Sequence, residues 1–209
     1  MKPIKSLLVV FAVLAPLIGA SSLASAQGYY GGRRGGPPRE AGGFHHREGM
    51  LVWGGAVGLG GMHDGGSGVT SCGGCDVKPL AGELDFHIGG MLTNQFALMF
   101  EGQLNSQRVS RQLDDTFLSQ GAAMLAAQYW ILPMLWVKGG IGFASLQVDD
   151  GYVVGDYGTG GALMGAVGVE LFSARNFALE LQGRIINGSY NGLDDNITSG
   201  TVGIGVNWF

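Results

Sequence analysis

The chain has 209 residues, of which 40 are Gly and only 13% are charged, with a formal net charge of −4; its mean hydropathy is nevertheless positive, at +0.23. The acidic balance argues against nucleic acid as a partner. Beyond residue 26 no apolar run reaches the roughly 18 residues a transmembrane helix needs, so the apolar residues must sit in an alternating pattern or a very large core.

Lys2 and Lys5 form a basic start, Leu7 to Ala20 is apolar, and Ala24-Ser25-Ala26 precedes Gln27. A charged region, a short apolar region and a small-x-small site are the parts of a secretory signal peptide. The run is too short for a membrane anchor and Pro16 interrupts it. Residues 1–26 are therefore expected to be removed, taking two lysines and shifting the formal charge from −4 to −6. No Cys follows the run, so no lipid anchor is expected. Residues 27–49 are rich in Gly, Arg and Pro without apolar periodicity, which reads as a flexible tail. The histidines at 45 and 46 read as solvated.

Cys72 and Cys75 are the only cysteines, in a Cys-Gly-Gly-Cys sequence. A zinc site would need two more ligands, and only His63 and Asp76 are near. A redox motif would open a helix in a βαβ setting, which is absent. In an exported chain a small loop disulfide is the favoured reading. No metal and no cofactor is expected.

From Met50 onward the period is two. One face of the second predicted strand carries Leu80, Gly82, Leu84, Phe86 and Ile88; the other carries Ala81, Glu83, Asp85, His87 and Gly89. The third sets Phe96, Leu98, Phe100, Gly102 and Leu104 against Ala97, Met99, Glu101, Gln103 and Asn105. Successive strand side chains point to opposite faces, so each strand has one apolar and one polar side. Charge-free faces recur at Leu51–Leu59, Ala123–Ile131, Leu135–Phe143, Gly161–Leu171, Phe177–Ile185 and Val202–Trp208. Strands of about ten residues suit a tilted crossing of a bilayer.

Connections alternate in length. Thr93–Gln95, Leu132–Met134 and Ser173–Asn176 are short, whereas 61–79, 106–117, 147–159 and 187–199 are long. That is the asymmetry of periplasmic turns and extracellular loops, and an even strand count puts both termini in the periplasm. Trp53, Phe96, Tyr129, Trp130, Trp136, Phe172, Phe177, Trp208 and Phe209 all fall at the short-turn end. They are expected to form an aromatic girdle at the membrane interface.

With this pattern, and the ending Gly205-Val206-Asn207-Trp208-Phe209, Met50–Phe209 resembles the small outer-membrane barrels of the OmpA/OmpX type. The resemblance implies an eight-stranded antiparallel transmembrane up-and-down β-barrel in a Gram-negative outer membrane, monomeric, in contact with lipid and lipopolysaccharide. It also implies that the C-terminal strand is read by the assembly machinery. One departure is visible: Phe209 is out of phase with Val202, Ile204, Val206 and Trp208, which a bulge or one-residue shift near the end would reconcile.

With apolar faces outward, Glu83, Asp85, His87, Glu101, Gln103, Gln128, Lys138, Glu170, Glu180, Gln182 and Arg184 point inward. A lipocalin-like soluble barrel would have the opposite polarity. Ala122, Ala126, Gly140, Gly142, Ala162, Ala166, Gly203 and Gly205 leave these side chains room. Eight strands enclose only enough space for side chains, so a polar plug is expected, with Arg184 near Glu83, Asp85 and Glu101, and Lys138 near Glu180. No catalytic signature accompanies His87, so an enzyme is not expected. The reading is a structural or surface-interaction protein acting through its loops. A narrow, cation-preferring channel and a lipid-modifying enzyme are the alternatives.

Overall fold

The structure is a computed structural model that describes residues 44–64, 67–68, 80–111, 114–149, 154–191 and 196–209. The signal peptide, the tail up to residue 43 and the Cys72–Cys75 pair lie outside the described residues. Eight long strands follow one another: β1 Leu51–Asp64, β2 Ala81–Met91, β3 Phe96–Arg111, β4 Asp114–Leu132, β5 Leu135–Asp149, β6 Val154–Ser173, β7 Phe177–Tyr190 and β8 Ile197–Trp208. Each pairs antiparallel with the next, and β8 returns to β1 from Trp53↔Trp208 to Asp64↔Ile197. The sheet is thus a closed up-and-down barrel, with Ser67–Gly68 folding back on the end of β1.

Closure leaves no edge, so backbone N–H and C=O groups are satisfied between strands, the condition for a sheet to cross lipid. Polarity is inverted relative to a soluble barrel. Val57, Ile141, Phe143, Ile185 and Val202 are each at least 60% exposed, on the outside, while Glu101 and Glu170 are 0% exposed, on the inside. The apolar band has a polar upper boundary, marked by outward hydrogen bonds between Ser106 and Ser119 (3.0 Å) and from Asn187 Nδ2 to Thr198 Oγ1 (2.8 Å). Its lower boundary is aromatic: Trp53 stacks on Trp208 at 4.6 Å, and Phe177 packs edge-on to Trp208 at 5.5 Å and tilted against Phe172 at 6.2 Å.

The predicted loops are shorter than the sequence suggests. The β3–β4 ladder continues to Arg111↔Asp114, and the β5–β6 ladder to Asp149↔Val154. Beyond the bilayer a ladder needs only backbone pairing, so hairpins continue through Ser106–Ser110 and Thr116–Ser119 after the apolar alternation stops.

The aromatic girdle is also smaller than expected. Trp130 and Trp136 are buried in the lumen, at 2% and 0% exposure. Each lies one residue out of phase with its outward neighbour, Tyr129 or Val137, and shares a face with the inward Gln128 or Lys138. Phe209 is turned inward as well: neither ladder of β8 carries a register shift, and its ring packs edge-on to Trp130 at 6.3 Å. The irregularities fall elsewhere. A shift between Glu170 and Phe172 leaves both Leu171 and Phe172 facing out, as an extra residue in one strand does. That bulge sends Phe172 to the girdle and returns Ser173 to the inside.

If the band is lipid-facing, Ile141→Arg at mid-height of β5 is expected to cost ~2–4 kcal/mol, and Gln147→Arg above the band only about 0–1. Urea midpoints of the barrel refolded in lipid vesicles measure both, and equal costs would contradict this placement.

Candidate functional site

The lumen is layered. At mid-height, Arg184 on β7 extends across the barrel to β2 and β3. Its Nη1 donates to Glu83 Oε1 at 2.9 Å, and its Nη2 lies 2.8 Å from Asp85 Oδ2 and 3.0 Å from Glu101 Oε1. Lys138 on β5 reaches the other Glu101 oxygen at 3.2 Å. Amides complete the layer: Gln103 donates to Glu83 at 2.6 Å and Gln182 to Asp85 at 2.9 Å. Register dictates the meeting, since Asp85 faces Gln103, His87 faces Glu101 and Gln128 faces Lys138 along adjacent ladders. The small residues Ala166 and Gly203 stand beside Arg184 and Gln182 in the ladders of β6 and β8. They leave the long side chains space to cross.

Arg184 and its three carboxylates are all buried, at 6% exposure or less. In so dry a site the attraction between opposite charges is several-fold stronger than in water, but desolvation opposes it. The arrangement holds because one guanidinium, planar and rich in donors, serves three acceptors at once.

Below this layer lies a hydrogen-bonded chain of side chains. His87 Nδ1 is 3.3 Å from Asp85 Oδ1, and its Nε2 abuts Asn207 Oδ1. Asn207 Nδ2 donates to Glu180 Oε2 at 2.7 Å, and Trp136 Nε1 donates to the same oxygen at 2.9 Å. Lys138, expected from sequence beside Glu180, pairs with Glu101 instead. Its ammonium sits 5.2 Å from the Trp136 ring, a cation–π distance. The indole occupies the lumen between β5 and β7 because β6 carries Gly168 beneath it. A Cβ there would come within 2.3 Å of Trp136 Cζ2.

At the short-turn mouth, Trp130 Nε1 donates to Glu170 Oε1 at 2.7 Å, Ser173 Oγ donates to Glu170 Oε2, and Arg47 closes the group. Residues 44–49, which the sequence reading assigns to the flexible tail, lie against this mouth, and Arg47 is only 3% exposed. Above the ionic layer the lumen is mixed: Met62, Leu118, Leu146, Ile186 and Ile197 are buried around Tyr190, whose hydroxyl accepts from Gln120 Nε2 at 2.6 Å, and Asn105, Gln107 and Ser199 are buried at the same level.

The sequence-predicted inward residues Glu83, Asp85, His87, Glu101, Lys138 and Arg184 are brought into one network, with Glu180 joined through Asn207 and His87. Glu170 stands apart, with the mouth. Sequence reasoning missed Asn207, Trp130, Trp136 and Arg47. The two tryptophans were legible from their phase with Gln128 and Lys138. Arg47 was not, because a lone Arg in a Gly-rich segment carries no periodic signal.

Two substitutions test the packing. Arg184→Ala strands three carboxylates and is expected to cost ~3–5 kcal/mol, read from the urea midpoint; an unchanged midpoint would remove Arg184 from the centre of the network. Gly168→Val displaces the Trp136 indole and is expected to cost ~1–3 kcal/mol, with a change in tryptophan emission; an unaltered spectrum would show the indole elsewhere.

No family model matches the chain, and no curated protein does. Solved structures do match. Neisserial surface protein A is 17% identical, with a TM-score of 0.52 over 76% of this chain and 95% of its own. Ail, the attachment invasion locus protein of Yersinia pestis, is 10% identical, with a TM-score of 0.48 over 77% and 99%. OprG from Pseudomonas aeruginosa is 13% identical, with a TM-score of 0.44 over 78% and 97%. The closed strand order, the inverted polarity and the match to the Neisserial protein give this chain the fold of the small eight-stranded outer-membrane barrels of the OmpA/OmpX type.

Proposed function

We propose that this protein resides in the outer membrane and presents its long-loop end to the outside, its lumen serving as a structural plug and not as a conduction path. The observation that carries the reading is the Arg184–Glu83–Asp85–Glu101 layer, whose side chains span the barrel and are almost wholly shielded from solvent. An eight-stranded interior is just wide enough for side chains to fill, and here ion pairs bridge it from wall to wall. The apolar residues above the layer and the Arg47 group below it add two further obstructions.

Orientation supports the surface role. Short turns and both ends of the barrel segment share one mouth, the periplasmic one in barrels of even strand number. At the other mouth, the β3–β4 hairpin runs from Ser106 to Ser119, past the polar edge of the lipid-facing band. Five residues of ladder beyond that edge, at about 3.3 Å per residue, lift the hairpin well clear of the acyl chains. Arg108 on β3 offers a positive charge at the level where lipopolysaccharide headgroups lie. The fixed wall gives stability, and the hairpins are where a partner is met.

Planar-bilayer recordings test the plug. The purified barrel is expected to give no discrete conductance steps, and reproducible steps from the wild-type protein would establish a channel instead. For the surface role, replacing Arg108–Phe117 by a two-residue turn is expected to leave the folded gel mobility intact and to weaken binding to lipopolysaccharide micelles. Undiminished binding would exclude that hairpin as the contact.

A further inference from the structure

The segment before β1 is neither part of the wall nor part of the predicted loops, yet it contributes one of the most deeply buried charges. Arg47-Glu48-Gly49-Met50 is a tight turn: Met50 N donates to Arg47 O at 3.0 Å, and Gly49 adopts φ +75°. A positive φ at the third position is a type II turn's requirement and the reason glycine stands there. Gly49 N also donates to Met91 O at 2.9 Å, fastening the turn to the end of β2.

From this turn the segment crosses the mouth. Asn94, in the β2–β3 turn, accepts from the backbone N–H groups of Arg47 and Glu48 with its Oδ1, each at 3.0 Å. The guanidinium reaches the β6–β7 side, donating to Glu170 Oε1 at 2.9 Å, Ser173 Oγ at 3.1 Å and Ala174 O at 2.7 Å. The β2–β3 and β6–β7 turns are four strands apart around an eight-stranded circumference, which makes them diametrically opposed. On its way the guanidinium lies 3.7 Å from the centre of the Phe209 ring, and Phe44 packs against the buried cluster at the same mouth.

We propose that residues 44–49 are a strap that closes the short-turn mouth, with Arg47 as its bolt. Arg47 leads into β1 and Phe209 directly follows β8, so the stacked pair forms only once the β1–β8 seam is shut. The strap therefore locks a closed barrel as well as covering it. Glu170, Trp130 and Phe209 are shielded from water on that side by Arg47 and not by the strands alone. This is independent of what the loops at the far end bind.

Thiol accessibility tests the lid. The probe is a small charged methanethiosulfonate reagent acting on Ala178→Cys, in a Cys72→Ser, Cys75→Ser background. Ala178 is fully buried and pairs across the ladder with Ser173. With Arg47 present labelling is expected to be slow. Arg47→Ala is expected to speed it at least about tenfold, the factor that loss of a charge-assisted hydrogen bond supplies, with the folded gel mobility unchanged. Gly49→Ala meets no atom within 4 Å and acts only through the strained φ, so it is expected to give a smaller acceleration without removing the bolt. Rapid labelling of the Arg47 protein, or equal rates in all three, would overturn the strap. Should Arg47→Ala fail to fold, the Gly49→Ala rate decides alone.

Discussion

A sheet that crosses lipid has nowhere to leave an unpaired backbone group, and from that constraint the remaining features of this molecule follow. The eight strands must close on themselves, β8 upon β1. Closure at eight strands fixes a narrow interior. Every side chain that alternation directs inward then loses water, including three acids and two bases at mid-height. Those charges are tolerated only because they meet. Arg184 is the group on which the meeting depends, since among the described residues it alone reaches all three of Glu83, Asp85 and Glu101. Removing one carboxylate leaves it two partners, whereas removing Arg184 leaves three buried anions with Lys138 as the neighbouring cation.

The same narrowness explains the residues that appear to do nothing. An indole, a guanidinium and an ammonium cannot share one cross-section unless the facing wall recedes, and Gly168, Ala166 and Gly203 are that recess. Stacking Trp136 over Gly168 positions its N–H on Glu180 and its ring beside Lys138. One contact thereby satisfies an acid and cushions a base. The bulge at Glu170–Phe172 works in the same way. A single extra residue places an aromatic ring in the girdle and a hydroxyl in the mouth, which strict alternation would have reversed.

Three obstructions are stacked along the axis: a mixed apolar and amide cluster at the long-loop end, an ionic layer at mid-height, and the proposed strap of chain at the short-turn mouth. In the proposed role such a barrel is a rigid mount. The β3–β4 hairpin, rising from it past the lipid-facing band, needs no apolar face of its own.

The sequence by itself determined the number of strands, their order, which mouth carries the short turns, and the inward set from Glu83 to Arg184. Each of these follows from a period of two, a property of neighbouring residues along one strand. It also held the correct phase of Trp130 and Trp136, although their position near the chain reversals suggested the lipid interface. What alternation cannot encode is how far a side chain reaches across the lumen, or what the chain does outside the strands. The choice of Glu101 over Glu180 by Lys138, the inward turn of Phe209 and the diametric path of Arg47 were decided only by the tertiary structure. Each depends on distances between strands that lie far apart in sequence and are brought together by closure of the barrel.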